Sequence, residues 1–319
     1  MTIKERILAS IEPVLAAPEH VSIVPEKVAE AAYKLKNAQL PVWNTDDQLL
    51  GSAEETAQYY FFLDSINFCF WGMKGKTRWE YQIGGEWTGG YYAYARAIKD
   101  AFSRDRRFFD TAYLSQMPEE DFRQIFALGR NELMLIPERY ALIRENFSIL
   151  QERFNGSALN LIEEANGDAG SLASILVECF PTFVDSVTWK GKEVFFLKRA
   201  QIFPSDLSFS GRNDLVLGGL ENLTAFADYK LPQLLEALGI IRYSDELSAD
   251  IEQEALIPQG SQKEIEIRAS TIRAIEDLSA EIARLGRPVT TQELDWILWV
   301  KAKELRFAKP HHRTITTFY

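Results

Sequence analysis

The stretch SAEETAQYYFFLDSINFCFW, residues 52–71, decides the fold class. Ser52 and Glu55 stand three apart, the spacing at which a serine hydroxyl takes a first-turn amide and a glutamate reaches back to the cap. This capping box predicts a helix that starts after Ser52 and carries the aromatic run Tyr59-Tyr60-Phe61-Phe62. If that helix continues, Asp64, Asn67, Phe68 and Trp71 fall at steps of three and four and share one face. A carboxylate and an amide beside two rings suit a flat heterocycle, whose faces the rings cover and whose edge the polar groups read. The same four residues also read as a buried polar pair inside an aromatic core, satisfied by neighbouring backbone.

Outward from this stretch the helical period dominates. Pro25 can open a helix whose Val28, Ala31, Ala32 and Leu35 lie on one side. Further helices are predicted over Tyr91–Phe102, Pro118–Leu128, Pro137 to about Asn155-Gly156, and Ser171–Cys179 before Pro181. Pro232–Leu238 reads as a short helix with Gly239 past its end. Ile265, Ile272, Ile275, Leu278, Ile282 and Leu285 repeat at helical steps up to Gly286, and Thr290 with Glu293 makes a second capping box. Alternation is confined to Arg78–Ile83, punctuated by Gly84-Gly85 and Gly89-Gly90, and to Trp189–Leu197 around Gly191. Ala249–Gln262, acidic and then Pro-Gly-Ser-Gln, is the candidate mobile loop. Strand and helix do not alternate often enough for a doubly wound sheet. The reading is a mainly α-helical fold with a few short strands, a single domain over residues 1–319.

Charge narrows the partners. Thirty-five Lys and Arg stand against 46 Asp and Glu, a net of −11. Non-specific affinity for nucleic acid comes from cationic neutralisation of phosphates, so a polyanion groove is excluded, as is an anionic membrane surface. A small local basic patch remains open. Cys69 and Cys179 form neither a zinc spacing nor a disulfide framework, and with only His20, His311 and His312 in the chain no metal is expected. The first apolar stretch, Ile7–Leu15, is broken by Glu12 and Pro13 and does not read as a secretory signal. No apolar run approaches the roughly 18 residues that span a bilayer. A cytoplasmic setting is expected.

Three more groups of residues could carry chemistry. Lys198-Arg199-Ala200-Gln201 follows the apolar Val194-Phe195-Phe196-Leu197. Its cations can reach back to solvent or bind an anion at a pocket edge. Asp228, within Phe226-Ala227-Asp228-Tyr229 and ahead of Pro232, can cap a helix. Held in a dry pocket, it can instead stabilise positive charge or take a proton from water. The tail Lys309–Tyr319 gathers His311, His312, Arg313, Thr314, Thr316, Thr317 and Tyr319, a dense set of donors for oxyanions, or else a surface strand.

Taken together these blocks resemble the queuosine salvage protein family, the queuosine 5′-phosphate N-glycosylase/hydrolases. The resemblance rests on Asp64-Ser65-Ile66-Asn67-Phe68-Cys69-Phe70-Trp71, Lys198-Arg199-Ala200-Gln201-Ile202 and Leu223-Thr224-Ala225-Phe226-Ala227-Asp228-Tyr229. It continues through Pro232-Gln233, Glu266-Ile267-Arg268 and Asp295-Trp296 to His311-His312-Arg313-Thr314. The motifs run in order over most of the chain. Ile315 stands where the family is expected to carry a basic residue, which leaves Arg313 as the tail cation.

The resemblance implies a cofactor-free hydrolase that frees queuine from queuosine 5′-monophosphate for tRNA modification. It also implies a helical fold similar to DNA glycosylases, which pair a Lys and an Asp. Carried over, the pair is Lys198 and Asp228. Asp64, Asn67, Phe68 and Trp71 are expected to hold the base. Arg199, His312, Arg313, Thr314 and Tyr319 are expected to hold the phosphate. Substrate and product are small molecules, with no direct nucleic-acid partner and no membrane. Two other classes remain: a helical scaffold protein, which visible repeats would favour and none does, and a DNA-repair glycosylase. The acidic balance and the lack of a glycine hairpin with flanking cations argue against the latter.

Overall fold

Ser52 caps the helix Ala53–Ser65 as its spacing predicts, with its hydroxyl accepting from the Glu55 amide and the Glu55 carboxylate returning to the Ser52 amide. Every residue from Thr56 to Ser65 is buried. A helix covered on all sides must lie at the centre of its core. The Phe61 ring sits 5.3 Å from the rings of Phe147 and Phe180 and 5.7 Å from Phe203. The computed structural model describes residues 1–42 and 46–319, and among these fourteen α-helices are joined by loops and three two-stranded antiparallel ribbons. The mainly helical reading holds. No helix among the described residues is long and apolar enough to cross a membrane.

A second core forms where the helices Pro25–Leu35, Lys230–Ala237 and Thr291–Glu304 pack on the long helix Gln262–Arg284. That helix serves both cores. Its Ile265, Ala269 and Ile272 join the aromatic cluster, while Ile267, Ala274, Ile275, Leu278 and Ile282 join the other. Near its start, buried Glu266 accepts hydrogen bonds from the amides of Glu19, His20 and Val21 at 2.6–3.1 Å. This ties the strand Val21–Ile23, and with it its partner Ile241–Tyr243, to the long helix.

The two local ribbons follow the alternation in the sequence: Glu80–Ile83 pairs with Glu86–Gly89, and Ser186–Trp189 with Lys192–Phe195. Gly84 and Gly85 have φ of +58° and +90°, the left-handed pair that a two-residue hairpin requires.

Three expectations need correction. The helix begun at Ser52 stops at Ser65 rather than running on to Trp71. Ala249–Gln262 is not one open loop: the helix Asp245–Glu252 covers its start, and Ile257 donates its amide to the Arg313 carbonyl at 2.8 Å. A helix absent from the sequence reading, Lys198–Phe209, follows the third ribbon; Pro204 inside it removes a donor and obscures the pattern.

The tail does not fray. His312, Thr314, Thr316 and Tyr319 are buried, and the Tyr319 carbonyl accepts from the Cys69 amide at 2.9 Å. Burial, with the neighbouring His311 and Arg268 charges, pushes His312 down to about 3. Unfolded, the same imidazole takes a proton near its ordinary value of about 6.5. Its contribution to stability is therefore complete above that value and is lost as the pH falls. Between pH 7.5 and 5, denaturant titrations should lose about 2 kcal/mol less in His312→Gln than in the parent chain. Equal losses would show that His312 is not held neutral.

Candidate active site

The site begins where the central helix breaks. Ile66, at φ −132° and ψ 29°, ends the helical run, and Cys69 takes a φ of +50°. The carbonyls left over at such an end need donors. Three buried cations supply them. Arg199 donates to Ser65, Arg139 to Ile66, to Phe68 (2.5 Å) and to Cys69 (3.3 Å), and the Lys198 ammonium to Asn67 at 2.8 Å. Burial lowers both guanidinium groups to about 10, so they stay charged at neutral pH. A cation at a helix C-terminus also meets its dipole favourably.

Lys198 is delivered to this point by a second anchor. Leu197, at φ +53°, turns the chain from the ribbon into the helix Lys198–Phe209. There Asp185 accepts the Lys198 amide at 3.2 Å and pairs bidentately with Arg268 at 2.8 and 2.5 Å. Both partners are almost fully buried, and the Arg268 guanidinium lies between the rings of Phe196 and Tyr319, 4.0 and 4.4 Å from their centroids. Arg268 also donates to the Ala227 carbonyl at 3.3 Å, directly before Asp228.

Asp228 accepts the amides of Lys230 and Leu231 at 2.7 and 2.9 Å through Oδ1, which starts the helix Lys230–Ala237. Capping and pocket placement therefore coincide: Asp228 also lines a cavity of about 290 Å³ together with Lys198, Asn67, Phe68 and Tyr319. Cavities near this size are at the small end of small-molecule sites, roughly 300–1,000 Å³. Burial raises the Asp228 carboxyl, while the Lys198 charge and the two amides favour its ionised form. Burial likewise lowers Lys198, with Asp228 and Asp64 holding it up. The two groups influence each other without an ion pair within 4 Å, and both line the cavity.

Asn67 lines the cavity and donates to Asp64 Oδ1 at 3.0 Å; Asp64 lies behind it, fully buried, with Oδ2 unpartnered. Burial pushes Asp64 up to about 7 against the Asn67 bond and the Lys198 and Arg199 charges. Trp71 is outside the cavity because the helix break turns it away; it packs against His311 and beneath Arg313. Of the five residues expected at the phosphate, Tyr319 alone lines the cavity. Arg199 is occupied with the carbonyls of Ser65 and Thr182, and Arg313 pairs with Glu254. His312 and Thr314 are packed within the tail.

Sequence reasoning gave no site role to several lining residues, Asp295 of a quoted motif among them. Asp206 accepts from the Tyr91 hydroxyl at 2.9 Å, and Asp295 from the Phe226 amide at 2.7 Å; burial raises both carboxyls. Arg78, Lys230 and Lys303 complete one side. A signal existed: Gln292, Asp295, Trp296, Trp299 and Lys303 recur at steps of three and four on the helix Thr291–Glu304, a mixed polar and aromatic face that no core requires.

A family model described as queuosine salvage protein matches residues 48–319. The chain belongs to the queuosine salvage protein family. Relatives named queuosine 5′-phosphate N-glycosylase/hydrolase agree with it over most of their length. The Sphaerobacter thermophilus protein is 38% identical over 92% of this chain and 90% of its own. The Dictyostelium discoideum protein is 38% identical over 83% and 79%, and the Mus musculus protein 33% over 84% and 83%. In this member of the queuosine salvage family, Asn67, Lys198, Asp228 and Asp295, all from the quoted motifs, meet at one cavity with Tyr319 of the tail.

The Asp185–Arg268 pair is the support of that arrangement that can be removed most cleanly. Leaving a buried charge without its partner costs about 3–5 kcal/mol. Asp185→Asn should lower the unfolding free energy in urea by that amount, and a loss under 1 kcal/mol would contradict its assigned role.

Proposed function

We propose that the chain hydrolyses the N-glycosidic bond of queuosine 5′-monophosphate and releases queuine. The observation that carries this reading is the placement of buried Asp228 and Lys198 on one cavity with no ion pair between them. Water adds to ribose C1′ as the bond from C1′ to the base breaks, giving queuine and ribose 5-phosphate. Positive charge builds on the ribose in that step, and an ionised carboxylate beside C1′ stabilises it and orients the water. Asp228 has this role, taking the water proton, and Lys198 keeps Asp228 ionised. The departing base takes up one proton at the nitrogen released from C1′, so that the two hydrogens of water end on the ribose hydroxyl and the base. The Lys198 ammonium is itself aimed by the Asn67 carbonyl.

The base side of the cavity also fits. A 7-deazapurine lacks N7, so its recognition runs through the guanine-like edge and the amine of its side arm. Both present N–H donors, and the buried end of the cavity offers the carboxyls of Asp206 and Asp295 besides Asp228. Asn67 and Phe68 stand at the same end, with Asp64 orienting the Asn67 amide.

Mass-spectrometric measurement of free queuine should find release by Asp228→Asn reduced on the order of 10³-fold, with queuine still bound. Turnover at the parental rate would remove the carboxylate from the mechanism. Asn67→Ala keeps its backbone carbonyl, and with it Lys198, in place. It should raise the dissociation constant for queuine about tenfold, the scale of one hydrogen bond; an unchanged constant would return Asn67 to core packing.

A further inference from the structure

The cavity lining differs between its buried and its exposed residues. Asp206, Asp228 and Asp295 are buried, whereas Arg78 and Lys303 are exposed at the rim and Lys230 is half-buried. These three cations come from separate elements: the segment before the strand Glu80–Ile83, the first residue of the helix Lys230–Ala237, and the last turn of the helix Thr291–Glu304. Among the described residues none of the three has a carboxylate within 4 Å. In a chain with 46 acidic side chains and a net charge of −11, three converging cations without an ion pair form an unusual patch.

Two of them are held in place. A Cβ at Gly89 would fall 2.3 Å from Arg78 Nε and 3.0 Å from its Cζ, so the guanidinium lies close against the Gly89 backbone. The Lys303 ammonium sits 3.6 Å from the Tyr92 ring centroid and 4.5 Å from that of Trp299. Aromatic faces fix a cation without cancelling its charge.

We infer that Arg78, Lys230 and Lys303 seat the 5′-phosphate of the substrate at the cavity rim and so direct the base inward to the carboxyl end. This assignment rests on the nucleotide reading above, and it replaces the tail and Arg199 as the phosphate's partners. A guanidinium offers paired N–H donors to phosphate oxygens, and two ammonium groups add point charges. A rim position leaves the dianion partly hydrated, so it gains attraction without full desolvation, and the attraction weakens with salt.

The test compares kcat/KM for queuosine 5′-monophosphate and for the nucleoside queuosine in Arg78→Met, Lys303→Met and the double variant. Calorimetric binding of ribose 5-phosphate runs beside it, and matched melting temperatures establish folding. The preference for nucleotide over nucleoside should fall about 10²-fold in the double variant, and ribose 5-phosphate binding should be lost. Lys303→Arg, which keeps the charge, should retain most of both. Unchanged preference with unchanged ribose 5-phosphate binding would overturn the seat while leaving the hydrolase reading intact. Ribose 5-phosphate bound by the parent and lost in the double variant, with a parent chain that fails to cleave the nucleotide, would uphold the seat and overturn the hydrolase reading instead.

Discussion

Five consecutive carbonyls, Ser65 to Cys69, are answered by three buried cations, and the rest of the site depends on that exchange. A helix that ends inside a core leaves acceptors that water cannot reach, each costing a few kcal/mol if orphaned. Here the acceptors become the fixing points for Arg139, Lys198 and Arg199, which come from elements far apart in sequence. The break, and not the helix, is therefore the floor of the site. It holds the Lys198 ammonium, exposes Asn67 and Phe68 to the cavity, and receives the chain terminus through the Cys69 amide.

A second layer of charge positions the opposite wall. Arg268 is shared between Asp185, which anchors the start of the Lys198 helix, and the Ala227 carbonyl, which precedes Asp228. One buried guanidinium thus fixes the relative placement of Lys198 and Asp228, and the Tyr319 ring covers it. The cavity that results has Asp206, Asp228, Asp295 and Lys198 among its buried lining and Arg78 and Lys303 among its exposed lining. Such a distribution orients a ligand whose two ends differ in charge before any specific hydrogen bond forms.

Local features of the fold were legible in the sequence, because they depend on neighbours a few residues apart. The capping boxes at Ser52 and Thr290, the glycine hairpin at Gly84-Gly85 and the helices opened at Pro25 and Pro137 lie where spacing puts them, whereas the helix read from Pro232 starts two residues earlier, at Lys230. The break at Ile66 was not legible, since it depends on Arg139, 73 positions away, and on Lys198 and Arg199 beyond that. The tail was recognised as unusual for its donors, yet most of those donors turn into the protein and serve packing. Arg78 and Lys230 carry no local signature, and Lys303 shows only as part of a helix face with Asp295 and Trp299; the three come together on the cavity from separate elements.

The central claim is that the scattered motifs build one cavity that holds a nucleotide with its phosphate outward and its glycosidic bond beside Asp228. A crystal structure of the Asp228→Asn variant with queuosine 5′-monophosphate tests this most directly. The account predicts ribose C1′ next to position 228, the base against Asn67 and Phe68, and the phosphate on Arg78, Lys230 and Lys303. A phosphate bound by Arg313 and His312 of the tail, or a base lying outside the cavity, would contradict it.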